Sequence, residues 1–159
     1  MKIIFLDIDG VLNSDRFYRE RAKSKQNHIR YLSEFDPECI ELLNEIVKQT
    51  GAKIVVSSTW KALGVDKLKE IFRLVKFKGE IIDITPSLHY DGMVRGNEIH
   101  LWMEKNKEII GCDYWAYKDY VILDDDSDML YWHRNNFILV DRFIGITPQT
   151  VFQINKLLK

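Results

Sequence analysis

The run Ile3-Ile4-Phe5-Leu6-Asp7-Ile8-Asp9-Gly10-Val11-Leu12 constrains this chain more than any other stretch. Its length and β-branched content read as a strand buried on both faces. Two carboxylates break the apolar run. A buried carboxylate is costly unless it is paired, protonated or bound to a metal, so Asp7 and Asp9 are expected at the strand's C-terminal tip, where a ligand compensates them. That tip is the first candidate site.

The rest of the chain alternates between helix and strand signals. Asp36-Pro37-Glu38 supplies an N-cap, a proline at the first helical position and an acid in the first turn. Ile40, Leu43, Ile46 and Val47 continue that helix as an apolar stripe, and Gly51 is placed to end it. Lys53–Ser57 reads as a second strand, Val65–Val75 as a helix and Glu80–Ile84 as a third strand. Asn97 is the expected N-cap of a helix bearing Ile99, Trp102 and Met103. Tyr120–Leu123 is a fourth strand, Ser127–His133 a short helix and Asn136–Val140 a fifth strand. Thr147-Pro148 opens a last helix with the stripe Val151, Ile154, Leu157 and Leu158. This alternation predicts an α/β fold of three layers, a five-stranded parallel sheet covered on both faces with right-handed crossovers.

At 159 residues, residues 1–159 are expected to form a single domain, with a basic loop or flap over about 13–35. A net charge of −1 argues against a general electrostatic hold on nucleic acid, leaving local patches open. Cys39 and Cys112 form neither a metal pattern nor a disulfide framework, which points to a reducing interior. No stretch approaches the roughly 20 apolar residues of a membrane span, and the start carries no secretion signal. A cytoplasmic location with no membrane partner is the expectation. His28, His89, His100 and His133 lack ligand spacing and read as surface or packing residues, and Trp60, Trp102, Trp115 and Trp132 read as core or rim.

In an open parallel sheet, ligands bind beyond the carboxyl ends of the strands. The chain puts its unusual polar residues at those ends: Asp7 and Asp9 after the first strand, Ser57 and Ser58 after the second, Asp124 and Asp125 after the fourth. Carboxylates brought together from separate strands repel unless a cation joins them, and an all-oxygen set suits Mg²⁺, which accepts phosphate as a further ligand. In such a pocket Asp7 can attack phosphorus, and Asp9 can exchange a proton with the leaving oxygen. Free aspartate has a pKa near ~3.9, so an acid role for Asp9 requires a raised value. Gly10 lets the backbone turn tightly beneath the phosphate.

These residues resemble the haloacid dehalogenase (HAD) superfamily of phosphohydrolases. The first motif is matched by Phe5-Leu6-Asp7-Ile8-Asp9-Gly10-Val11, the second by Val55-Val56-Ser57-Ser58 and the fourth by Ile122-Leu123-Asp124-Asp125. The resemblance implies an aspartyl-phosphate at Asp7, with Asp9 as acid and then base. It further implies Mg²⁺ held by Asp7, the backbone carbonyl of Asp9 and one or both of Asp124 and Asp125, with Ser57 on a phosphoryl oxygen. For the third motif, usually lysine, Arg95 in Val94-Arg95-Gly96-Asn97-Glu98-Ile99 is the candidate, because a guanidinium supplies charge and two donors to phosphate. The alternative reading of Arg95 is a surface arginine flanking a helix. Asp128 is a further acid that either reaches the metal or serves as an early helix residue.

Asp-Gly-Val-Leu-Asn, Ser-Ser-Thr-Trp-Lys, Arg-Gly-Asn-Glu-Ile and Leu-Asp-Asp-Asp-Ser-Asp also resemble the small HAD domains associated with RNA-repair proteins, similar in turn to polynucleotide 3′-phosphatases. No gap between elements accommodates a full cap domain, so the pocket is expected to be open. Within 13–35, Arg16, Arg19, Arg21, Lys23, Lys25 and Arg30 outnumber Asp15, Glu20 and Glu34, and Phe17, Tyr18 and Tyr31 are interleaved with them. Basic and aromatic groups beside a phosphate site suit a polynucleotide; the plainer reading is a solvated loop pinned by its aromatics. The expected partner is a phosphorylated substrate, with a nucleic-acid 3′-phosphate or a nucleotide leading. The alternatives are a phosphatase of small metabolites or phosphoproteins, or a non-catalytic phosphate-binding module resembling a receiver. A receiver needs an aspartate after its third strand and a lysine after its fifth, where this chain has Ile84-Thr85-Pro86 and Val140-Asp141-Arg142.

Overall fold

A computed structural model of the chain describes residues 1–23, 32–88 and 92–159. Lys25, His28, Arg30, Tyr31 and His89 lie outside the described residues. The five strands are β1 (Ile3–Leu6), β2 (Lys53–Val56), β3 (Ile81–Ile84), β4 (Tyr120–Asp124) and β5 (Phe137–Leu139). They form one parallel sheet in the order β3-β2-β1-β4-β5. The sequence therefore grows outward from β1 on one side, then returns to β1's other edge with β4. That reversal puts the switch in strand order between β1 and β4, the place where open parallel sheets bind ligands.

The strand residues divide by parity, as the two-residue period of a strand demands. Ile4, Leu6, Ile54, Val56, Val121 and Leu123 face one apolar cluster. It is closed by α2 (Pro37–Thr50), α3 (Val65–Leu74) and α6 (Pro148–Leu157) through Leu43, Ile46, Leu68, Phe72, Val151 and Ile154. Ile3, Phe5, Val55, Tyr120 and Ile122 face the other cluster, covered by Ile99, Trp102 and Met103 of α4 (Arg95–Lys105) and by Ile110 of the short α5 (Lys107–Ile110). Trp102 meets Phe5 edge to face at 5.4 Å, and its indole N–H donates to Asp83 Oδ2 at 2.7 Å. Each such side chain taken fully out of water contributes roughly 1.5–3 kcal/mol before the entropy of ordering it. The three layers predicted from the alternation are present.

Helix signals near proline behave as expected. Asp36 accepts from Glu38 N–H ahead of Pro37, Gly51 closes α2, and Thr147 accepts from Thr150 N–H ahead of Pro148. Three local expectations need correction. The segment 13–35 is not all loop: it contains α1 (Asp15–Lys23) and a 3-10 turn over Leu32–Glu34. Asn97 is not the N-cap of α4 but its third residue, and its side chain accepts from Val94 N–H at 3.0 Å. The expected helix over Ser127–His133 is only a 3-10 turn, shifted to Tyr131–Asn135. No helix among the described residues is long and apolar enough to cross a membrane, and between β1 and α2 they hold only α1 and the 3-10 turn, so no full cap domain stands there.

Candidate active site

The sheet's C-terminal edge gathers the acids. Asp7 follows β1 directly and is tied to β4 by its N–H, which donates to Leu123 O at 2.9 Å. Asp124 ends β4 and Asp125 follows it, so pairing of the two strands carries all three carboxylates to one point. Each offers an oxygen, and these oxygens lie within 4.8 Å of one another. Asp7 and Asp124 are buried, at 5% and 2% exposure.

Their protonation records the strain. Burial pushes the Asp7 carboxyl up to about 6, against the opposing pull of Arg95 and the Ser58 hydroxyl. Burial, with the nearby Asp7 charge, pushes Asp124 up to about 7. Asp125 is also raised by burial, opposed by Arg142, whose Nη1 stands 3.2 Å from its Oδ2. The protein alone does not neutralise this cluster. Three hard oxygen donors crowded together fit a divalent cation of the Mg²⁺ kind, and Asp7, Asp124 and Asp125 are the side chains that would hold it.

Asp9 sits differently. Its carboxylate is not in the three-acid cluster; Oδ1 accepts from Asn13 Nδ2 at 2.9 Å and Oδ2 from Trp60 Nε1 at 3.0 Å. The side chain is thus held by two neutral donors from opposite sides. The Asp9 side chain is not among the three carboxylates that converge. Asn13 itself is fixed by Gly10, whose N–H donates to Asn13 Oδ1 at 2.9 Å. Trp60 is fixed by packing on Phe35, which packs in turn on Phe72 of α3.

Gly10 has a tighter reason to be glycine than the turn alone. Its φ is +76°, and a Cβ added there would lie 2.4 Å from Asp125 Oδ2. The carboxylate of the fourth strand's tip occupies the side-chain space of the first strand's turn.

The two serines divide. Ser58 hydrogen-bonds to Asp7 and accepts from Trp60 N–H at 3.5 Å. Ser57 is buried, and its Oγ has no hydrogen-bond partner among the described residues. Ser57 follows β2 as Asp7 follows the neighbouring β1, so its unpaired hydroxyl is a donor available to an anionic oxygen at that edge. The cationic group of the site is Arg95, whose Nη1 is 3.6 Å from Asp7 Oδ1 and whose Nε is 4.0 Å from Asp124 Oδ2. Arg95 Nη1 is buried and makes no hydrogen bond among the described residues. Its guanidinium thus faces the acid cluster, with the side chain 18% exposed.

Asp128 does not join the carboxylate cluster. Its Oδ2 accepts from Arg95 N–H at 2.9 Å, so it caps α4 and aims Arg95. Sequence reasoning missed Asn13, Trp60 and Arg142 as site residues, and also the largely buried Lys61–Glu98 ion pair beside Arg95. Asn13, Trp60 and Lys61 stand inside stretches already singled out, whereas nothing local marks Arg142. A crevice of about 670 Å³ lies at the sheet's other edge around Asn44, Lys53 and Glu80, away from the acid cluster. One of about 360 Å³ opens beside Arg95, Lys61, Glu98 and Asp128.

A family model described as "HAD domain in Swiss Army Knife RNA repair proteins" matches residues 3–151. Neither a curated protein nor a solved structure matches the chain.

Proposed function

The chain belongs to the family of HAD domains in Swiss Army Knife RNA repair proteins, a phosphohydrolase type of fold, and from that premise we propose that it is a Mg²⁺-dependent phosphomonoesterase acting through Asp7. The observation that carries the reading is the meeting of Asp7 with a buried, unpartnered Ser57 hydroxyl and the Arg95 guanidinium at one strand edge. The phosphoryl group is received there, its oxygens taking the donors that lack protein partners.

Asp7 attacks phosphorus in line as the bond to the leaving oxygen breaks, and Asp9 delivers a proton to that oxygen. Asp9 then takes a proton from water, whose oxygen attacks phosphorus and frees Asp7 with release of inorganic phosphate. Asn13 and Trp60 keep the Asp9 carboxylate pointed through both halves of the cycle. Bound Mg²⁺ supplies positive charge that offsets the carboxylates and the substrate's phosphate. The substrate class proposed is a phosphate at a nucleic-acid end, a 3′-phosphate first, because the matched family is described by RNA repair and the basic helix α1 is joined through Arg142 to Asp125 of the acid cluster.

The direct test is release of phosphate from an aryl phosphate with and without Mg²⁺. Turnover is expected with the ion, and Asp7→Asn should lower it by at least ~10³-fold. Equal rates for the two proteins would overturn the assignment. A panel of 3′-phosphorylated oligonucleotides, mononucleotides and phosphoamino acids then ranks the substrates.

A further inference from the structure

Helix α1 buries none of its residues, yet it is not loosely attached. The Ser14 hydroxyl accepts from Phe17 N–H at 3.1 Å, as an N-cap does, while Asp15 N–H and Arg16 N–H donate to Arg142 O and Phe143 O, both at 3.1 Å. The first turn of α1 is therefore bolted to the turn that follows β5. That turn is itself rigid. Ile144 and Gly145 N–H groups donate to Asp141 O, and Ile146 N–H donates to Val11 O. Gly145, at φ +80°, presses against Val11 O and Cys39 Sγ so closely that a Cβ would come within 3.0 Å of both.

What this rim presents is one guanidinium on an exposed aromatic ring. The Arg19 guanidinium lies over the Phe143 ring at 5.3 Å, with Phe143 45% exposed and Ile144 beside it also open. Arg16 is committed to Glu38, Arg21 to Glu34, and Arg142 to Asp15 and Asp125. Arg19 has no acidic partner among the described residues. Arg142 ties the rim to the carboxylate cluster, so the rim begins where the reacting phosphate is proposed to sit.

We infer that Phe143 and Arg19 form a stacking platform for the nucleotide next to the terminal one of a single-stranded nucleic acid, resting on the reading above for the position of the terminal phosphate. An exposed aromatic ring with a guanidinium on it accepts any base by stacking and leaves N–H donors for a phosphodiester. Its hydrogen-bonded backing means little ordering is needed on binding. A phosphorylated peptide offers charge but no stacking series, and it is the competing occupant.

The experiment is fluorescence anisotropy in the absence of Mg²⁺, with a single-stranded hexanucleotide 3′-phosphate, a mononucleotide 3′-phosphate and a phosphopeptide of equal charge. The hexanucleotide should bind at least ~10-fold more tightly than the mononucleotide. Phe143→Ala and Arg19→Glu should each remove most of that gain, and Phe143→Tyr should restore it. The Arg19 variant alters an exposed side chain, so its result stands even if Phe143→Ala does not fold. No gain with length, a gain that survives both substitutions, or equal binding of the phosphopeptide would overturn the platform. Failure to hydrolyse aryl phosphate would overturn the phosphatase reading and leave these binding results to be judged alone.

Discussion

Asp7 and Asp9 are two residues apart on one turn, are the same amino acid, and live in opposite surroundings. Asp7 is buried against two other carboxylates and is held up to about 6 by desolvation. Asp9 is only half buried and has a neutral donor on each oxygen. Crowded with acids, Asp7 sits where a divalent cation would relieve the repulsion, and the proposed reading makes it the nucleophile. Asp9 is held in place by an amide and an indole, and the same reading gives it the proton transfers. If that reading holds, the division of labour lies in the neighbours, since the side chains are identical.

The contrast can be broken at Asp9 first. After Asp7→Asn, the largest loss expected is from Asp9→Asn, ~10²–10⁴-fold on an alkyl phosphate, whose leaving oxygen needs a proton. On an aryl phosphate with a good leaving group the loss should be smaller. Equal losses on the two substrates would deny Asp9 the proton-transfer role. Next in size is Trp60→Phe, which keeps the ring against Phe35 but removes the donor to Asp9. A fall in kcat of about tenfold, with KM and Tm little changed, is expected for the loss of one hydrogen bond to a charged group. A change confined to Tm would make the indole structural only.

The smallest effect concerns the acids around Asp7. Asp7 and Asp124 have folded-state values of about 6 and about 7, above the ~3.9 of an unfolded aspartate. The folded state therefore holds protons that the unfolded state has released. These groups favour folding most at low pH, and the contribution is lost as pH rises through about 4 to 7. Without divalent ions, Asp124→Asn should be more stable than the parent at pH 8, by about 1 kcal/mol or more, roughly 2–4 °C in Tm. The advantage should shrink at pH 5 and should also shrink when Mg²⁺ is added to both. An advantage independent of pH and Mg²⁺ would show that the carboxylates are not in electrostatic conflict.

The framework was legible in the sequence because its signals are local. β-branched runs, Asp36-Pro37 and Thr147-Pro148 carry their own instructions, and strand ends followed by Asp or Ser marked the site's edge. What was hidden depends on distant partners. Asp128, 33 positions from Arg95, caps α4 and moves the helix start ahead of Asn97. Helix α1 lacks a buried stripe, so periodicity could not reveal it; a serine cap and backbone bonds to 142 and 143 hold it. The stretch after Asp124 turns away from helix because Asp126 N–H bonds to Asp124 Oδ1 and Ser127 N–H to Asp126 Oδ1. Arg142 becomes visible only when β5 is laid beside β4.

The missing side chain of Gly10 leaves the two halves of the pocket without clearance. Asp125 fills that space, Gly10 holds Asn13, and Asn13 holds Asp9. A displacement at the fourth strand's tip is thus handed, link by link, to the residue proposed to move protons. On the proposed reading, the group that holds the metal and the group that moves the proton are parts of one linkage with no play in it.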